Sequence, residues 1–316
     1  MKYPLLAAMA ASLAVPVLAQ EAAPNPSPGE IVAAAPASDW IAIAPSDLLV
    51  MDLAPDAKGE PRRIVIQLMP APFSQGWIGN IRKLAAAHWW NGASVNRVQD
   101  NYVVQWGGAT GSKPLPEGLA VVPESDYVQQ AAAAKEGDVV PHRPRRSVED
   151  VYANWTRFDN GWPVAEAVSD DTRVRSTWPV HCYGMVGVGR DMAPDTGTGA
   201  ELYAVIGHAP RHLDRNIAVV GRVVSGVEHL SSLPRGTGPL GFYESEAEHV
   251  PIRSIRMATE LSSAEQPVFE YLSTESGSFA RYADARANRR DPFFIHPAGG
   301  ADICNIPVPV RPVAAK

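Results

Sequence analysis

Two histidines four residues apart, His208 and His212, stand close to Glu201. On a helix that spacing would turn both imidazoles to one face as metal ligands. Pro210 lies between them and is incompatible with a helix interior, because its ring clashes with the preceding turn, so no metal site is expected. Serine hydrolase chemistry is equally unsupported. The chain holds no G-x-S-x-G, and Ser225-Gly226 follows a β-rich run without the sharp elbow that exposes a nucleophile. The glycine-rich run Gly107-Gly108-Ala109-Thr110-Gly111-Ser112 lacks the Lys-Ser/Thr that completes a phosphate cradle, and reads as a turn. Cys182 and Cys304 are the two cysteines; in an oxidising compartment they would form one disulfide closing a long loop, worth up to ~4 to 5 kcal/mol in the chain-entropy model, and otherwise two thiols.

The surroundings of these residues narrow the function further. A formal net charge of −6 over 316 residues argues against a nucleic-acid binder. The one basic knot, His142-Arg143-Pro144-Arg145-Arg146, is short and broken by proline, and reads as a solvated loop. Met1-Lys2-Tyr3-Pro4, an apolar run from Leu5 to Leu18, and Val17 and Ala19 before Gln20 form the pattern of a secretory signal over residues 1–19, too short to span a bilayer. Export to a periplasm follows as the expectation, with no stable membrane insertion. Residues 20–40, rich in Ala, Pro and Ser, read as a disordered linker.

Short β-rich runs with turn signals dominate the rest. Leu48 to Leu53 and Ile64 to Leu68 flank the turn-forming segment 55–61 and read as an antiparallel pair. Trp77, Ile78, Ile81, Leu84, Ala85 and His88 recur at helical spacing after Ser74, an N-cap residue type, predicting a helix over 75–88. Further strands are expected at 95–98, 102–105, 184–188, 202–206, 217–224 and 251–257, with a second helix near 227–232. Residues 109–180 read as a long polar, Pro-rich loop insertion with a short Ala-rich helix at 129–135, and residues 262–316 as a C-terminal extension packed on the domain.

Four stretches, in order, carry a resemblance to a known family. Arg63-Ile64-Val65-Ile66-Gln67-Leu68 followed by Asn80-Ile81-Arg82-Lys83-Leu84 resembles an opening strand and an N-F-R-x-L helix. Val95-Asn96-Arg97-Val98 with Tyr102-Val103-Val104-Gln105 is similar to F-H-R-[VI]-x-x-x-F-M-x-Q-G-G. Gly184-Met185-Val186-Gly187-Val188-Gly189-Arg190 with Gly199-Ala200-Glu201-Leu202-Tyr203 stands where G-x-[LV]-S-M-A-[NR] and G-S-Q-F-F are found. His208 to Asp214, continued by Val219 to Gly226, resembles P-x-x-[WH]-L-D-G-x-x-x-V-F-G-x-V-x-x-G. The family is that of the cyclophilins, and the likeness covers residues 45–108 and 181–258. It implies a mainly β fold over residues 41–261: a closed antiparallel eight-stranded barrel capped by two helices.

The resemblance also implies prolyl isomerisation of polypeptides, with proline-containing segments as substrates and no cofactor. An amide before proline rotates slowly because its C–N bond has partial double-bond character, with a barrier of ~18–20 kcal/mol. Acceleration by roughly 10⁵-fold requires about 7 kcal/mol of barrier reduction. An apolar ring pocket and a fixed cation near the twisted amide can supply it. Arg97 falls on the family's catalytic arginine. Tyr102, Val103, Tyr203 and Leu213 fall on its proline-pocket wall, and Gln105, Gly189, Glu201 and His212 on other substrate-binding positions. Asn96, Glu201, Tyr203 and Ile217 depart from the pattern, where His, Gln, Phe and His are usual; a carboxylate at Glu201 could pair with Arg97, either competing with substrate or orienting the guanidinium. Glu201 and Asn96 favour the alternative of a cyclophilin-like proline-peptide binding module of weak activity, whereas Arg97 favours an isomerase. A monomer is expected.

Overall fold

A computed structural model describes residues 25–107, 113–131, 150–169 and 171–313. The expected leader lies outside the described residues, as do positions 132–135. In chain order the elements are α1 (Pro28–Ala33), β1 (Trp40–Ala42), β2 (Leu48–Leu53), β3 (Arg62–Leu68), α2 (Gln75–Ala86), β4 (Ser94–Val98) and β5 (Val103–Gly107). The insertion contributes β6 (Gln129–Gln130), β7 (Trp155–Asp159), β8 (Trp162–Val168) and β9 (Arg175–Pro179). There follow β10 (Met185–Val188), β11 (Leu202–Val205), β12 (Val219–Ser225), α3 (Val227–Ser231) and β13 (Val250–Met257), then β14 (Phe269–Leu272), α4 (Gly277–Ala287) and β15 (Val310–Pro312).

Eight strands close a barrel in the order β10-β11-β5-β4-β13-β2-β3-β12, every pairing antiparallel. The period-two alternation of strand side chains explains its interior. Leu49, Met51 and Leu53 of β2 and Ile64, Ile66 and Leu68 of β3 fill the main core. Their alternates Leu48, Val50 and Val65 form a second apolar layer outside, with Ile43, Ala258 and Phe269. Because both faces are covered, β2 reads as a continuous apolar run. Helix α2 closes the barrel with Trp77, Ile81 and Leu84. Ser74 occupies its N-cap position without capping it: the backbone there is left-handed, and the hydroxyl donates to the Val219 carbonyl at 2.7 Å. His88 lies past the helix end, with φ of 48° and its ring 3.1 Å from the Glu260 carboxylate.

Three expectations from the sequence need correction. The insertion is more than a loop: β6, β9, β8 and β7 form a four-stranded sheet in that order. Its hairpin turns at Asn160-Gly161, both at positive φ, the dipeptide favoured where strand twist must be continued through a two-residue turn. Trp155, Trp162, Val164 and Trp178 are buried by it. Gln129 and Gln130, expected to begin a helix, pair with β9 as a strand. Residues 28–40 are ordered rather than linker. Ser27 and Glu30 form a capping box with Pro28 opening α1, and Ile31, Ala35 and Trp40 pack on Leu272, Phe279, Tyr282 and Ile306 of the tail. Strands β1, β14 and β15 join the two chain ends in one sheet, so the tail folds with the N-terminal segment. A disulfide links Cys182 to Cys304, with Cα atoms 5.1 Å apart.

Candidate functional site

Register brings the chemistry together. On adjacent barrel strands, Gln105 of β5 stands opposite both Arg97 of β4 and Tyr203 of β11. The alternates Val104, Trp106, Leu202 and Ala204 point into the core, so Arg97, Gln105 and Tyr203 must face outward. There they border an open cavity of about 540 Å³, which Tyr102, Val103, Gly189, Glu201 and Leu213 also line. Its floor is apolar: Val103 and Tyr203 are buried, with Tyr102, Leu213 and Ile217 packed half-buried against them. Of the substrate-binding positions named from sequence, His212 alone is not in the lining. It stands behind it, its ring stacked on Tyr102 with centroids 6.1 Å apart and planes 9° from parallel.

Arg97 is held from three sides. Its Nε donates to the Leu240 carbonyl at 2.8 Å, one Nη to Gln105 at 3.0 Å, and the other to Gln99. The guanidinium lies over the rings of Tyr102 and Phe242, 5.8 and 5.3 Å from their centroids, a favourable stacking for a planar cation. Burial lowers its pKa from the ordinary arginine value, partly offset by Tyr102. The Phe242 segment was not legible as part of the site. It is a hook in which Gly241 has positive φ and a Cβ there would meet the Gln99 backbone, and it carries Leu240, Phe242 and Tyr243 to the groove.

The pairing of Glu201 with Arg97 that the sequence allowed is not formed. Gln105 stands between them, accepting from Arg97 through Oε1 and donating through Nε2 to a Glu201 carboxylate oxygen at 3.0 Å. The order is chemically fixed, since arginine can only donate and a carboxylate only accept. Burial pushes the Glu201 carboxyl above its usual value, against the lowering effect of the Gln105 hydrogen bond.

Behind the floor runs a buried polar chain. The Tyr203 hydroxyl is 2.8 Å from Nε2 of His181, whose Nδ1 is 2.9 Å from Asp214. Asp214 also accepts from the His181 backbone N–H and from Nε of Arg211, and Arg211 grips Asp150 of the insertion with two bonds of 2.7 and 3.0 Å. Burial alone would raise the Asp214 carboxyl, but His181 and Arg211 outweigh it and hold the pKa below the usual aspartate value. Burial drives the Tyr203 hydroxyl well above the usual tyrosine value, so it remains a neutral phenol. A Cβ on Gly187 would fall on this hydroxyl, which explains a glycine in the facing strand. His181 went unnoticed in the sequence because nothing there links it to partners 22 and 33 residues away.

The family model for "Cyclophilin type peptidyl-prolyl cis-trans isomerase/CLD" matches residues 58–257. The chain belongs to the cyclophilin-type family. Among solved structures it is similar to the cyclophilin AquaCyp293 from Hirschia baltica, at 22% identity and a TM-score of 0.63, covering 88% of this chain and 94% of that one. A cyclophilin type peptidyl-prolyl cis-trans isomerase from Cryptosporidium parvum matches at 12% identity and a TM-score of 0.37, covering 66% of this chain and 97% of that one. No curated protein matches the sequence. The barrel is thus a cyclophilin barrel, and the second, third and fourth of the cyclophilin-like stretches contribute residues to the open cavity. All four departures from the family pattern, Asn96, Glu201, Tyr203 and Ile217, line this groove, and Tyr203 also ties its floor to His181. Among the described residues no cluster of His, Cys, Asp or Glu fits a metal ion, and no helix is long and apolar enough to cross a membrane.

Proposed function

We propose that this chain catalyses cis/trans isomerisation of Xaa-Pro bonds in polypeptides, with Arg97 as the electrostatic catalyst. The observation that carries the reading is a fixed guanidinium beside an apolar floor of Tyr102, Val103, Tyr203 and Leu213. The proline ring is held on that floor, where its desolvation is favourable. As the amide twists, its nitrogen regains a lone pair, and the cation stabilises that charge distribution more than the planar ground state. Gln105, oriented by Glu201, presents amide groups to the substrate backbone. No bond breaks, so no nucleophile, metal or cofactor is needed. Export to the periplasm and assistance to folding in the cell envelope complete the reading, supported by the leader pattern at residues 1–19 and by a disulfide suited to an oxidising compartment.

A weakly active proline-peptide binder is the second reading, favoured by the engagement of Arg97 with Leu240, Gln99 and Gln105. The cis-to-trans rate of short Xaa-Pro peptides, with native protein and Arg97→Ala at matched stability, separates the two. Acceleration that the variant loses supports the isomerase, whereas peptide binding without acceleration supports the binder.

A further inference from the structure

A second cavity, about 360 Å³ in volume, opens where barrel, insertion and tail meet. Met185 and Arg222 come from β10 and β12, Phe158 and Pro163 from the β7–β8 hairpin, and Arg286 and the segment from Ile303 to Val310 from the tail. It shares no lining residue with the Arg97 groove. Its lining includes two guanidiniums and no carboxylate.

Arg222 is 6% exposed. Its Nε and one Nη donate to the Gln67 side-chain oxygen at 2.9 and 2.8 Å, and the other Nη to the Gly161 carbonyl at 2.7 Å. The guanidinium stacks on Trp162, 4.4 Å from its centroid. These neutral partners leave part of the donor fork unused, and among the described residues neither Arg222 nor Arg286 forms an ion pair. Burial pushes the Arg222 pKa down to about 10, so the group is still a cation at neutral pH. A buried cation without a counter-charge is costly, and an anion entering the cavity would offset that cost. Apart from the Tyr183 hydroxyl, the other side chains of the lining, among them Val224, Ile303, Ile306, Val308 and Val310, are apolar and suit a hydrocarbon rather than a hydrated inorganic ion.

We propose that this cavity binds a small apolar carboxylate, its head group on Arg222 and Arg286 and its tail along Val224, Ile306 and Val308. The planar fork of arginine matches a carboxylate with two parallel hydrogen bonds. Isothermal titration of the disulfide-intact protein with sodium octanoate tests it, with 1-octanol as the neutral control of equal chain length. Saturable one-to-one binding is expected, weaker for octanol by about tenfold or more. Arg286→Gln, a half-buried position on α4, should weaken octanoate binding by about tenfold while melting as the parent does. Arg222→Gln should abolish binding; if it fails to fold, the octanol control and Arg286→Gln still decide. Absence of saturable octanoate binding, octanol binding as tight as octanoate, or affinity unchanged in Arg286→Gln would each overturn the proposal. Heat of binding is measured directly, so failure here is distinct from failure of the isomerase reading.

Discussion

Replacing Tyr203 by Phe removes one oxygen and leaves the ring that floors the groove. The lost group is 2.8 Å from His181 Nε2, and both residues are buried, His181 at 1% exposure and Tyr203 at 4%. Removing the hydroxyl strands that imidazole nitrogen away from water, since the other ring nitrogen is already engaged by Asp214. An orphaned buried polar group costs about 1–3 kcal/mol, and no cavity term adds to it because the ring is unchanged. For a chain of this size that corresponds to a fall in Tm of roughly 2–5 °C. The apolar face presented to a proline ring stays the same, and phenylalanine is the residue found at this position in the family pattern. The isomerisation rate per folded molecule should therefore stay within about threefold of the parent, under 0.7 kcal/mol of barrier. Calorimetric melting and a peptide isomerisation assay on the same preparation read both quantities. An unchanged or higher Tm would refute the assignment of the hydroxyl to the buried chain. A rate loss beyond about tenfold in a folded variant would show that the hydroxyl acts on substrate.

Three further outcomes follow from the same geometry. Glu201→Gln keeps an acceptor for Gln105 but removes a carboxyl whose pKa is raised; activity should persist, and any change in native activity as pH rises past the usual glutamate value should flatten in the variant's pH–rate profile. Asp214 has a folded pKa below its usual 3.8, so its stabilisation is present above that value and is lost as pH falls through the folded pKa; urea midpoints should drop below about pH 4, and less steeply in Asp214→Asn, which starts lower by about 3–5 kcal/mol because Arg211 and His181 lose their shared carboxylate. Reducing the Cys182–Cys304 bridge opens a loop spanning 122 residues and should cost up to about 5 kcal/mol in the chain-entropy model, seen as a lower denaturant midpoint with dithiothreitol; an unchanged midpoint would mean the bridge adds nothing.

Much of the barrel was legible because each of its strands obeys one local rule. The short β-rich runs Leu48–Leu53 and Arg62–Leu68 on either side of a turn-forming segment, the helical spacing from Trp77 to Ala85, and the four family-like stretches place the groove and Arg97 with little help from elsewhere. What escaped was local signal outweighed by composition, or contact that composition cannot encode. Asn160-Gly161 between two aromatic-bearing runs is a hairpin signal, but proline-rich flanks made the insertion read as loop. Ser27-Pro28-Gly29-Glu30 is a helix start, hidden in an Ala/Pro-rich segment whose partner, α4, lies at the other end of the chain. The arrangement of Glu201 was open for a different reason: opposite charges invite a pairing with Arg97, yet strand register puts Gln105 between them. The Tyr203–His181–Asp214–Arg211–Asp150 chain joins the barrel to the insertion, and no spacing in the sequence foreshadows it.

The central claim, catalysis at the Arg97 groove, is tested most directly by two-dimensional exchange NMR on a short Xaa-Pro peptide with isotope-labelled native protein. The account predicts cis–trans exchange cross-peaks at substoichiometric protein, with peptide-induced shifts centred on Arg97, Tyr102, Val103, Gln105 and Leu213. Absence of exchange even at equimolar protein, or shifts confined to another surface, would contradict it.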